Sequence, residues 1–174
     1  MTTPPPASGD CDSLPLYTAG QVALANIPYA LMLVLGAGVF VAAWGPDGRV
    51  PAALYAAYGL LGSLWIILFV CPYCHFHGTR SCPCGYGIIA AKLRRAQDGG
   101  RFAEKFRAHI PVIVPLWFIP PVVGGWGLVK QFTPALLVFV VLFALDAFLI
   151  LPLLSRRRCC ARCPQKTTCP WMGK

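Results

Sequence analysis

The sequence predicts an all-α integral membrane protein, a four-helix bundle with a cysteine-rich cytoplasmic loop that carries short amphipathic helices, and a cysteine-rich cytoplasmic tail. Three observations lead there. Of 174 residues, 57% are hydrophobic and only 12% are charged; soluble domains carry roughly 25% charged residues. Mean hydropathy is +0.63, which leaves too little polar surface to cover a water-soluble globule. The apolar residues gather in four stretches, 24–44, 52–70, 110–129 and 134–154, each near the ~20 residues that cross a ~30 Å hydrocarbon core. The basic residues, finally, are spread unevenly around those stretches.

Residues 1–20 hold Pro4-Pro5-Pro6 and few large apolar side chains, so a flexible tail is expected. Asp10 and Asp12 precede the first apolar run. A secretory signal would place basic residues there, and none is expected. The membrane domain spans 21–154. Its first two stretches contain no charged residue, and the third contains none before Lys130. A core helix of a soluble protein would keep a polar face.

The connections fix the expected orientation. Residues 45–51 (GPDGRVP) form a tight turn and 130–133 a shorter one, with the long loop 71–109 between them. Of 15 Lys and Arg residues, seven lie in that loop and six in the tail 155–174, leaving only Arg49 and Lys130 in the turns. Basic residues are retained on the cytoplasmic side. The expectation is therefore a multi-pass protein of the cell inner or plasma membrane with both termini cytoplasmic. The net charge of +9 then reports topology, and no nucleic-acid partner is expected.

Within the loop, GIIAAKLRRA and RFAEKFRA flank Asp98-Gly99-Gly100 and predict two short amphipathic helices on the inner leaflet. The third span holds Pro111, Pro115, Pro120 and Pro121. Proline deletes backbone donors, so a kinked or locally broken helix is expected. In the fourth, Asp146 is an ionisable group inside the bilayer, which is costly. It serves either as a hydrogen-bonded carboxyl between helices or as a proton or cation site.

The cysteines carry the chemistry. Cys71, Cys74, Cys82 and Cys84 read C-P-Y-C-H-F-H-G-T-R-S-C-P-C, directly after the second span. Cys159, Cys160, Cys163 and Cys169 read C-C-A-R-C-P-Q-K-T-T-C, directly after the fourth. Both clusters follow spans that run outward to inward, so they emerge on one side. Thiols spaced by two residues in a reducing compartment point to metal ligation or redox chemistry rather than structural disulfides. Two sets of four suit iron–sulfur clusters, [4Fe–4S] first, and equally permit structural Zn²⁺. Four of the eight precede proline, as the last ligand of bacterial ferredoxin runs does. His75 and His77 are candidate ligands or donors to them. Arg80, Arg158 and Arg162 stand beside the ligands in sequence and would offset thiolate charge. Cys11 stands alone in the N-terminal tail and is read as a free thiol.

In general plan the chain resembles membrane polyferredoxin anchors, which join several spans to Cys-Pro-bearing iron–sulfur ligands. Its four spans and CxxC pair resemble quinone-coupled disulfide oxidases, whose cysteines face outward. Its vicinal Cys159-Cys160 resembles the cysteine pairs of bacterial mercuric-ion transport proteins, which also carry a pair in the first helix. These resemblances cover the plan rather than an aligned motif. The sequence-based expectation is a membrane iron–sulfur subunit that passes electrons between a cytoplasmic oxidoreductase docked on the basic face and the membrane or a quinone. No acid–base or nucleophile constellation marks a complete enzyme. The alternatives are a soft-metal (mercury, copper or zinc) binding or transport protein and a Zn-stapled scaffold.

Overall fold

A computed structural model describes residues 16–160, 163–167 and 169–170, without the side chains of 158–160. Helices follow one another as α1 (Ala19–Trp44), α2 (Arg49–Phe69), α3 (Tyr86–Leu93), α4 (Phe102–His109), α5 (Pro115–Lys130), α6 (Pro134–Leu145) and α7 (Leu151–Leu154). There is no strand among the described residues. Three helical stretches, Ala19–Tyr73, Gly99–Lys130 and Pro134–Arg157, are long and apolar enough to cross a membrane.

The first of these is 55 residues long, too long for one crossing, and it folds back on itself. Gly45 adopts φ +59°, a left-handed conformation open to glycine, and the 3-10 turn Gly45–Gly48 reverses the chain. Tyr55 then lies against Gly36 and Leu33 against Gly59, so α1 and α2 run antiparallel. At its start α1 is held by a capping box, with Gln21 N–H bonded to Thr18 Oγ1 and Thr18 N–H to Gln21 Oε1 at 2.9 Å.

α1 is the central helix and packs against α2, α5 and α6. Close approach relies on small residues, the usual device between membrane helices. A Cβ on Gly38 would stand 2.5 Å from the Phe139 ring, and one on Gly124 would collide with Val140. Met32, Val39, Leu116, Leu136 and Phe143 are buried between the helices. The outer faces carry exposed apolar side chains, among them Leu54 (65%), Val122 (68%) and Val129 (83%), a surface compatible with lipid.

The expected interruption of the third span falls earlier than its paired prolines. Pro120 and Pro121 lie inside the continuous helix α5. The break is the 3-10 segment Ile110–Val112 and the tight turns after it, where Leu116 N–H bonds Ile113 O at 3.1 Å and Trp117 N–H bonds Val114 O at 3.0 Å. Pro120 has no N–H for the carbonyl four residues back, at Leu116. Tyr55 Oη donates to that oxygen at 2.9 Å, and Tyr58 Oη donates to Val112 O. Two hydroxyls of α2 thus supply donors that the α5 region lacks. The fourth span also departs from plain α-helix. Its Asp146–Ile150 segment is π-helical, directly before Pro152, and Ser155–Cys160 is π-helical again.

Two stability tests follow. An added Cβ at Gly48 would meet the Phe40 carbonyl, which is backbone and cannot swing aside, whereas Gly125 has nothing within 4 Å. Gly48→Ala is expected to destabilise the fold by about 1–3 kcal/mol and Gly125→Ala to leave it unchanged or firmer, read as unfolding midpoints in detergent. Tyr55→Phe should cost about 1–2 kcal/mol by orphaning a buried carbonyl. In a Pro120→Ala background, where an N–H returns to position 120, that cost should largely vanish. A double-mutant cycle with no coupling would contradict this partnership.

Candidate functional site

α2 ends at Phe69 and the chain enters a ladder of tight turns. Cys74 N–H bonds Cys71 O at 3.1 Å, His77 N–H bonds Cys74 O at 3.0 Å, and Gly85 N–H bonds Cys82 O at 3.0 Å. Gly78 and Gly85 both sit at φ +74°. The ladder is tied to its surroundings through Gly78 N–H to Gly87 O (3.0 Å) at the start of α3 and Gln97 N–H to Pro72 O (2.8 Å) beyond it. Gly87 N–H also points at Cys82 Sγ, 3.4 Å away.

Among the described residues, Gln165 bonds the tail back to this ladder. Gln165 Oε1 accepts from His75 N–H at 3.0 Å, and its Nε2 donates to Gly99 O at 3.2 Å and Tyr73 O at 3.4 Å. Cys163 and Cys169 flank Gln165. Lys166 N–H bonds Cys163 O at 3.1 Å, and Cys169 N–H bonds Gln165 O at 2.9 Å, so both cysteines arrive with it.

Five thiols consequently share one electrostatic neighbourhood. Burial pushes the Cys74 thiol up to about 12; a backbone N–H at Phe76 partly opposes this, and Cys82, Cys163 and Cys169 push it further. Cys71 lies within electrostatic reach of Cys74 and Cys82. Cys163 is raised by burial, eased by the Gln165 backbone, and raised again by Cys169 and Cys82. Cys71, Cys74, Cys82, Cys163 and Cys169 are all half-buried and outside any disulfide. As they stand, no three His, Cys, Asp or Glu side chains among the described residues form a group that could hold a single metal ion.

The other candidates divide. Cys84 lines a different space, a cavity of about 190 Å³ between α1, α2, α7 and the loop, whose polar lining is Asn26, Tyr29, Ser63, Cys84, Tyr86 and Ser155. Asn26 Nδ2 fixes that junction by donating to Cys84 O at 3.1 Å. His77 Nε2 lies 3.1 Å from Arg94 O, and His75 meets Phe76 edge-on. Asp146 is 1% exposed, and neither carboxylate oxygen has a hydrogen-bond partner among the described residues. Cys11, the side chains of Cys159, Cys160 and Arg158, and all of Arg162 lie outside the described residues.

Comparison with known proteins adds no identity: no family model, no curated protein and no solved structure matches the chain. Sequence reasoning missed Gln165 and the cavity. A lone glutamine bonded to backbone groups leaves no pattern, although its place between two Cys-Pro pairs marks the segment. Gln165→Ala is expected to remove about 1–2 kcal/mol of tail docking and to speed trypsin cleavage after the exposed Lys166 roughly ten-fold. Unchanged cleavage would mean that the tail is held by other contacts.

Proposed function

We propose that this chain is a membrane iron–sulfur protein, an electron-transfer or anchoring subunit whose cluster takes four thiolate ligands from among Cys71, Cys74, Cys82, Cys163 and Cys169, with Cys159 and Cys160 as further candidates. The observation that carries the reading is the return of the tail, which brings Cys163 and Cys169 into the field of Cys74 and Cys82. Three arguments support it.

The first concerns reactivity. Catalytic dithiols need thiolates, and their surroundings lower the thiol pKa. Here burial works in the opposite direction, which disfavours dithiol–disulfide catalysis. A bound metal removes that obstacle, because coordination draws off the thiol protons. The second concerns spacing. A structural zinc gathers four donors around one ion, whereas a cluster takes its thiolates on several irons and so accepts ligands set further apart. Thiols that feel one another from both the loop and the tail offer such a spread set. The third is location. The cavity beside the cysteine-bearing loop is lined largely by apolar side chains, among them Leu24, Ile66, Ile113 and Leu151, and gives a quinone ring an apolar space at the boundary of the bundle.

In this reading the loop and tail face the cytoplasm, a soluble oxidoreductase docks on the basic loop, and the chain conducts electrons to the membrane. Asp146 is then an intramembrane acid available to a proton. The test is anaerobic isolation. Brown protein containing iron and sulfide, with an EPR signal on reduction, is expected, and Cys74→Ser or Cys163→Ser should each remove most of the iron while Cys11→Ser keeps it. Colourless protein with about one zinc per chain, losing its fold on chelation, would replace this reading with a zinc-stapled scaffold. Metal accumulation by cells that is lost on changing Cys159 and Cys160 to serine would favour a soft-metal carrier.

A further inference from the structure

A second cavity, of about 170 Å³, opens where α2 ends and meets the loop, and its lining includes Phe69, Tyr73, Arg94, Gln97, Lys105 and His109. Its two cationic side chains, Arg94 and Lys105, can only donate, while Tyr73 and Gln97 can donate or accept. The Arg94 guanidinium lies 5.2 Å above the Phe69 ring and the Lys105 ammonium 5.8 Å from the Tyr73 ring. His109 stacks on Phe69 with centroids 5.4 Å apart. Its Nδ1 accepts from Trp65 Nε1 at 3.2 Å, which leaves the ring proton on Nε2 as a further donor.

Negative charge is scarce around these groups. Glu104 approaches Lys105 at 3.8 Å but is paired more closely, at 3.1 Å, with Arg101. Asp98 accepts from Gly100 N–H at 2.9 Å. The cavity is thus cationic on its open side, while on the bundle side it is floored by Phe69 and its neighbour Leu68, in the last turn of a membrane-length helix. A ligand that satisfies both sides carries a phosphate and has an apolar body that lies along the helix.

We infer that this cavity is a discrete binding site for the phosphate group of an anionic phospholipid, held by Arg94, Lys105 and His109 at the loop-bearing end of the bundle. Arginine matches phosphate with two parallel donors, and basic pockets beside membrane helices recognise such headgroups. The inference uses none of the cysteines and does not depend on the metal reading. A free phosphate would meet the same donors but would leave Leu68 and Phe69 unused, so a lipid is the favoured source.

The test uses the full-length protein in detergent, with phosphatidylglycerol or phosphatidylcholine added and retained lipid counted by native mass spectrometry. One phosphatidylglycerol per chain is expected, held roughly ten- to thirty-fold more tightly than phosphatidylcholine. Arg94→Gln with Lys105→Gln should abolish that preference. Arg95→Gln with Arg107→Gln, which removes the same net charge from the same segment outside the cavity, should retain it. Equal loss in both double variants would reduce the effect to general surface charge and overturn the site. Displacement of the lipid by millimolar inorganic phosphate would overturn the lipid assignment.

Discussion

The close packing of α1 against its neighbours is the constraint on which the molecule depends. Glycines let that happen: Gly36 receives the Tyr55 ring, Gly38 the Phe139 ring, and Gly48 sits on the backbone of the last turn of α1. In an apolar medium, burial of hydrophobic surface adds little to helix association, so packing and polar satisfaction must do the work. With α1 at the centre, α2 and the fourth span both run antiparallel to it. Their far ends therefore emerge together, and both cysteine clusters begin at those ends. The meeting of Cys74 with Cys163 is a consequence of helix packing before it is a matter of loop structure.

The second constraint is hydrogen bonding. Every backbone group in the bilayer core needs a partner, and prolines in the third and fourth spans remove donors. Tyr55 repairs the deficit at Leu116. The fourth span responds differently, by shifting into π-helix ahead of Pro152. Such bulges often mark functional positions, and this one begins at Asp146, whose side chain is shut away from water. Among the described residues, the buried side-chain oxygens and nitrogens left without a hydrogen-bond partner are those of Asp146.

Much of this was legible in the sequence, and the physics explains which parts. Hydropathy over about twenty residues is a strong signal, so the apolar stretches fall close to the helices found, with α1 beginning a few residues earlier because Thr18 and Gln21 cap it. The two short helices expected in the loop emerged as α3 and α4. Proline content announced an irregular third span but not where it breaks, because the repair at Pro120 comes from a tyrosine on another helix. Grouping of the thiols was harder still. Spacing alone put Cys84 beside Cys82 as an equal ligand candidate, yet the turn at Gly85 and the grip of Asn26 place it along the cavity between α1, α2 and α7. Such partners lie 58 residues apart in sequence and have no local signature.

The dependence of the thiol group on Gln165 has a consequence for biogenesis. Two of its five members follow the fourth span in sequence, so the group is incomplete while that span is still being synthesised. Assembly of the site is thereby placed after insertion, and a chain stalled or mis-threaded at any helix would lack it. The molecule holds a built-in record of whether it reached its final topology.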